Sequence, residues 1–250
     1  MKKAFTLSEV LITITIVGVI AAFVIPPLKQ ASEFKQYKAG FVKAMNYMND
    51  SSMLFEVEKG FPAQCGYWKD PVAMRGASTA TCDEYNEYGA CTHWSNVGTD
   101  YNGTFRDCPK LYDFMKTRSS IMKVCETDSK ANGCIPGYHG YDTLELGYNT
   151  VRNNYSGCTG WSEANIRNGK AFVTEDGMIF FPYGGRINQS VLLMAVDVNG
   201  QKGPNLWGYD ILVLKPFVDN YETTPQWKAS ASCAFVEAGG INAVQLMKKY

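Results

Sequence analysis

Ala4-Phe5-Thr6-Leu7-Ser8-Glu9-Val10-Leu11 opens the stretch on which the architecture of this chain turns. Met1-Lys2-Lys3 precedes it as a short basic leader, and from Phe5 to Leu28 the residues are apolar or weakly polar apart from Glu9. As a helix these 24 residues are about 36 Å long, enough to cross the hydrocarbon core of a bilayer. Lys2 and Lys3 then mark the cytoplasmic end, because basic residues stay on that side. Glu9 is the anomaly. A carboxylate inside such a segment costs about 2.5–3.5 kcal/mol on insertion scales, which makes it a functional candidate.

Two plainer readings compete. A secretory signal peptide also has a basic start, an apolar run and small residues, here Ala21-Ala22. Its apolar region is typically about 7–15 residues, shorter than this one, and rarely carries a glutamate. An uncleaved single-pass anchor is the other.

The segment around Phe5 resembles the cleavage and methylation motif of the type IV prepilins and type II secretion pseudopilins, written G-F-T-L-x-E-h-h. The resemblance implies that a prepilin peptidase cuts between Ala4 and Phe5 and that Phe5 is then N-methylated. It implies that Glu9, one helical turn from the new N-terminus, pairs in a filament with the α-amino group of a neighbouring chain, neutralising both charges in an apolar core. Pro26 lies where many pilins carry a proline. Ala4 departs from the pattern, standing where glycine is usual.

Beyond this segment the pattern changes. Pro26-Pro27 predicts a kink or loosening, since each proline removes a helical hydrogen bond. Phe34, Phe41, Met48 and Phe55 then recur every seven residues, with Tyr37 and Met45 beside them. That is the apolar stripe of an amphipathic helix, running to about Lys59 and packing against a sheet. Gly60-Phe61-Pro62 ends it.

Eight cysteines follow at Cys65, Cys82, Cys91, Cys108, Cys125, Cys134, Cys158 and Cys233, none in a C-x-x-C pair. With only His93 and His139 to accompany them, disulfides in an oxidising compartment fit better than zinc. Cys82–Cys91 and Cys125–Cys134 suit short local loops; the full connectivity is not readable from sequence. Residues 61–168 read as a disulfide-stapled, loop-rich and surface-exposed region with short helices such as Lys110–Lys123. Lys170–Thr174 and Met178–Phe181 flank a glycine-containing turn and read as a hairpin. Val191–Val198 and Tyr209–Phe217 read as further strands, and Ile241–Tyr250 as a short terminal helix.

The expected fold is therefore α+β: a long N-terminal helix, half membrane-spanning and half amphipathic, on an antiparallel sheet with a disulfide-rich insertion, which the resemblance makes pilin-like. Its parts are a leader (1–4), an apolar helix (5–28), its amphipathic continuation (29–60) and a head outside the cytoplasm (61–250). Within the head, the loop-rich region (61–168) precedes the strands (169–218) and a C-terminal segment (219–250).

Between the last two of these strands, Asp197, Asn199 and Asp210 offer hard oxygen ligands in a glycine-rich loop, as calcium requires. The loop is not an EF-hand, because glycine takes its fourth position and no glutamate stands at the twelfth. It resembles a D-x-N-G-x-x-G-P-N stretch of pseudopilin-like proteins, whose major members bind calcium between C-terminal strands. The alternative is a turn network in which Asp197 and Asn199 bond nearby backbone amides.

Lys plus Arg and Asp plus Glu both number 24, so no basic excess points to nucleic acid. No nucleophile elbow, phosphate-binding loop, zinc-protease helix or dinucleotide fingerprint is present, so an enzyme is not expected. The expected role is a filament subunit whose partners are copies of itself or other pilins, the prepilin peptidase, the inner membrane and its assembly platform. The alternative is a secreted or surface-anchored binding module with a disulfide-rich head.

Overall fold

A computed structural model of the chain describes residues 7–68, 81–85, 91–95, 107–118, 120–143, 158–187, 192–218 and 224–250. Helix α1 spans Leu7–Lys59, 53 residues without interruption. It continues through Pro26 and Pro27, where the sequence predicts a kink or loosening. Prolines at these positions still remove two donors, so the carbonyls four residues earlier, of Ala22 and Phe23, lose their usual helical partners. Gly60 closes the helix with a left-handed backbone (φ +77°), which glycine adopts at no steric cost.

The remaining elements in order are β1 (Tyr67–Trp68), β2 (Thr81–Tyr85), β3 (Cys91–Ser95), α2 (Cys108–Lys116), β4 (Ile121–Cys125), a 3₁₀ turn (Thr159–Trp161), α3 (Glu163–Asn168), β5 (Ala171–Thr174), β6 (Ile179–Pro182), a second 3₁₀ turn (Tyr183–Gly185), β7 (Met194–Asp197), β8 (Ile211–Val218), β9 (Gln226–Ala229) and α4 (Ala243–Lys249). Strands β4 to β8 form an antiparallel run in the order β8-β7-β6-β5-β4, and β9 joins β8 antiparallel. The two-residue β1 lies parallel to the end of β8. β2 and β3 pair separately. The α+β expectation holds, as do the hairpin, the strands near β7 and β8 and the terminal helix.

The stripe on α1 packs as its spacing requires. Phe34, Tyr37, Phe41, Met48 and Phe55 are buried against Phe172, Phe180, Met194, Val196, Leu212 and Leu214, the alternate residues of β5 to β8. Asn49 reinforces this contact: its amide accepts from the Trp227 backbone N–H (2.7 Å) and donates to the Trp227 carbonyl (3.4 Å). The Trp227 indole donates to Ser52 Oγ (3.0 Å). At the lower end Phe34 stacks between Tyr209 and Tyr250, 5.4 Å from each ring.

The loop-rich expectation for 61–168 needs correction at two places. Lys110–Lys123 is not one helix: α2 stops at Lys116, and Ile121–Cys125 is a strand on the edge of the sheet. Pairing with β5 gives this apolar segment a ladder that an isolated helical turn after Thr117 lacks. Nor is the region wholly superficial. Tyr138, Trp161 and Ile166 are buried, and they cover the second face of the sheet at Val173, Ile179, Phe181, Ala195 and Val213. Trp161 meets Trp207, Phe181 and Tyr183 at 5.1–5.6 Å between ring centres.

Cys125–Cys134 closes the local loop expected, while Cys65–Cys108 ties the end of α1 to α2, and Cys158–Cys233 joins the second-face cover to the C-terminal segment. The Cys82–Cys91 pairing falls on side chains outside those described.

Gly40 sets the distance between α1 and the loop after β7. A Cβ there would stand 2.9 Å from Val198 Cβ, closer than real contacts allow. Gly40→Val is expected to lower the head's stability by about 1–3 kcal/mol through overpacking, read from urea unfolding.

Candidate functional site

Two places carry the residues singled out by sequence. The first is the N-terminal half of α1. Ala4 and Phe5 lie outside the described residues. Glu9 sits in the first turn of α1, exposed. Around and after it the large apolar residues point outward on every side: Leu7 is 79% exposed, Ile14 64% and Phe23 77%. No residue of the most apolar 18-residue window is buried, and the helix is long and apolar enough to cross a membrane. Its two mid-segment threonines satisfy their hydroxyls within the helix, Thr13 to the Val10 carbonyl (2.9 Å) and Thr15 to the Leu11 carbonyl (2.6 Å). Such back-bonding removes the polar cost of placing them in hydrocarbon.

The second place is the loop between β7 and β8. Asp197 ends β7 and Asp210 precedes β8; both are fully buried. Asp197 Oδ1 accepts from the backbone N–H groups of Asn199 (3.1 Å) and Gly200 (2.7 Å), and its Oδ2 accepts from the Tyr138 hydroxyl (2.9 Å). Asp210 accepts from the amides of Asn205 and Leu206, both at 2.8 Å. With its amide nitrogen turned inward, Asn205 also donates to Asp197 Oδ2 (3.1 Å) and to the Gly200 carbonyl (2.9 Å), linking the two aspartates. Asn199 donates to the Gly203 carbonyl (2.9 Å), leaving its own buried Oδ1 without a partner. Gly200 adopts φ +63° and passes so close to the Gly177 carbonyl that a Cβ would overlap it.

The structure thus brings Asp197, Asn199 and Asp210 together as an Asx-turn network. Every carboxylate oxygen already accepts a hydrogen bond. Among the described residues no group of three or more His, Cys, Asp or Glu is arranged to hold a metal ion. Sequence reasoning missed Tyr138 and Asn205. Nothing in the spacing of Tyr138 announces a contact 59 residues away, whereas Asn205, inside the loop, was within reach of the turn argument.

Burial, and then the neighbouring Asp210 carboxylate, push Asp197 up to about 7, against the pull of its hydrogen bonds. Asp210 is raised too, chiefly by burial. The C-terminal segment docks on this loop: Trp207 donates to Glu237 Oε1 (3.0 Å), Glu237 donates to the Trp207 carbonyl (2.9 Å) and Ile241 to the Gly208 carbonyl (2.7 Å). The arrangement holds the backbone of the loop in place.

The folded state binds the Asp197 proton more tightly than the unfolded chain, whose value is 3.8. Its stabilising contribution is therefore complete below about pH 4 and lost as pH rises through about 7. The thermal midpoint of the wild type is expected to fall between pH 5 and 8 more steeply than that of Asp197→Asn; equal slopes would refute the assignment.

No curated protein and no solved structure matches the chain. Residues 1–25 match the family model of the prokaryotic N-terminal methylation motif. The chain therefore begins with the prepilin signature of the type IV pilins and pseudopilins.

Proposed function

We propose that this protein is a structural subunit of a type IV pilus or type II secretion pseudopilus, held in the inner membrane before assembly and built into the filament through its N-terminal helix. The observation that carries this reading is a single helix with two environments. Its first half bears the methylation motif and stands clear of the head, whereas its second half is sealed into the head by a buried stripe. Prepilin peptidase cuts between Ala4 and Phe5, and the head, with its disulfides, stays outside the cytoplasm. Subunits then leave the bilayer by exchanging lipid contacts for one another's helices. Glu9 fixes their register by pairing with a neighbour's α-amino group, since a lone carboxylate is costly in that core.

At Asp197, Asn199 and Asp210 we favour the turn role over calcium, because the carboxylate oxygens are already engaged by backbone, tyrosine and asparagine donors. Millimolar Ca²⁺ is then expected to leave the thermal midpoint unchanged at pH 8; a marked rise would restore the metal reading.

Mass spectrometry of protein from cells with a prepilin peptidase is expected to find N-methylated Phe5 as the mature N-terminus. A start near Phe23 would instead mean an ordinary signal peptide and a soluble secreted protein. Glu9→Ala is expected to be processed normally yet fail to enter filaments, measured in sheared surface fractions.

A further inference from the structure

The head meets the bare half of α1 at a foot of lysines. Just past Leu28, residues 29–39 of α1 hold Lys29, Lys35 and Lys38 against one acid, Glu33, which lies 3.8 Å from Lys29. The foot is marked by Gln30, whose amide donates to the Gly239 carbonyl (3.3 Å). Helix α4 ends at nearly the same level. Phe34 stacks on Tyr250, 5.4 Å between ring centres, and Lys38 donates to the Met247 carbonyl (3.0 Å). Lys248 and Lys249, in the last turn of a helix that contains no acid, are thereby brought beside the same stretch of α1. Lys35, Lys248 and Lys249 are exposed, and among the described residues no carboxylate pairs with them. Lysines higher on the head differ: Lys43 meets Asp176, Lys110 meets Asp107, and Lys116 and Lys170 share Glu126. In a chain whose formal charge is zero, the foot is locally cationic.

We infer that Lys35, Lys248 and Lys249 dock the foot of the head on anionic lipid headgroups. The inference rests on the reading of the apolar half of α1 as a membrane anchor. Lys35 stands seven residues past Leu28, about 10 Å along the axis. The headgroup layer extends about 5–8 Å beyond the hydrocarbon, and the attraction of a charged surface reaches about 8 Å further at physiological salt. All three ammonium groups therefore lie within its field. Spread over two helices and carried on flexible stems, they match a plane of phosphates, which asks for charge at no fixed geometry, better than a single shaped ligand. Pro26 and Pro27 weaken the helix just below, so contact with the lipid surface limits how far the head tilts about that point.

The test uses the full chain in lipid nanodiscs, of phosphatidylcholine alone or with about 30% phosphatidylglycerol, and reads the acylation rate of each lysine by peptide mass spectrometry. In the anionic discs at low salt, Lys35, Lys248 and Lys249 are expected to react at least about threefold more slowly than in neutral discs. The difference is expected to vanish in about 0.5 M NaCl, where screening shortens to about 4 Å. Lys228 is the internal control: it is exposed on β9, next to the Trp227 that bonds Asn49, about 30 Å above Leu28, and is expected to react equally in both discs. Lys248→Gln with Lys249→Gln is expected to return the Lys35 rate in anionic discs towards its neutral-disc value, with Lys228 unchanged. Equal rates at Lys248 and Lys249 in the two discs, slowing that survives high salt, or a Lys35 rate indifferent to the double substitution would overturn the inference while leaving the membrane anchor intact. A chain that enters neither disc would bring down both.

Discussion

The contact between one stripe of α1 and one face of the sheet is the constraint on which the rest of the molecule depends. Phe34, Phe41, Met48 and Phe55 lie along a single side of the helix, and the sheet meets them with Phe172, Phe180, Met194, Val196, Leu212 and Leu214. Each large side chain buried this way contributes about 1.5–3 kcal/mol. The contact fixes where the head sits on the helix, and therefore where the helix becomes bare. It also explains Gly40, which lets the loop after β7 come within touching distance of the helix backbone.

A sheet covered by one helix still has a second face, and the described residues close it without a second long helix. Irregular backbone around Tyr138, Trp161, Trp207 and Phe235 closes it with stacked and edge-on rings. Backbone bonds from Asp128, Ser129 and Lys130 to Asn168, Gly169 and Arg167 hold this cover together, and Cys125–Cys134 and Cys158–Cys233 restrain it covalently. The Asp197–Asp210 loop belongs to the same solution: its buried carboxylates terminate backbone amides that no strand reaches.

The parts legible in the sequence were those with a strong period or a strong chemical anomaly. The seven-residue recurrence of Phe34 to Phe55 announces a helix and its buried side together. Glu9 stands out because a carboxylate in a hydrocarbon-length segment is expensive. The hairpin around Gly177 and the strands at Met194 and Ile211 show their apolar character directly. The illegible parts depended on partners far away in sequence. Ile121–Cys125 looks like a helix continuing from α2 until β5 is placed beside it. Gln226–Ala229 is polar at alternate positions and gains its strand from β8 and from Asn49 on α1. Tyr138 and Trp161 sit among glycines, asparagines and cysteines that read as surface, because their period is set by the face they cover rather than by their own backbone. At the loop, the sequence names the acids but not whether nitrogen donors or a cation answers them.

The stripe on α1 also sets an order of events. The residues that form it are made within the first quarter of the chain, and the strands and terminal helix that cover it come from its last third. Until then only Phe55, which meets Phe61 and Phe114, has partners made earlier in the chain, and the contacts that bury the rest of the row against the sheet span well over a hundred residues. Long-range closure of this kind is slow and leaves apolar surface open to the wrong company. Under the anchoring proposed above that company changes: the waiting stripe starts at the edge of a bilayer, where lipid rather than another unfinished chain is the nearest apolar surface.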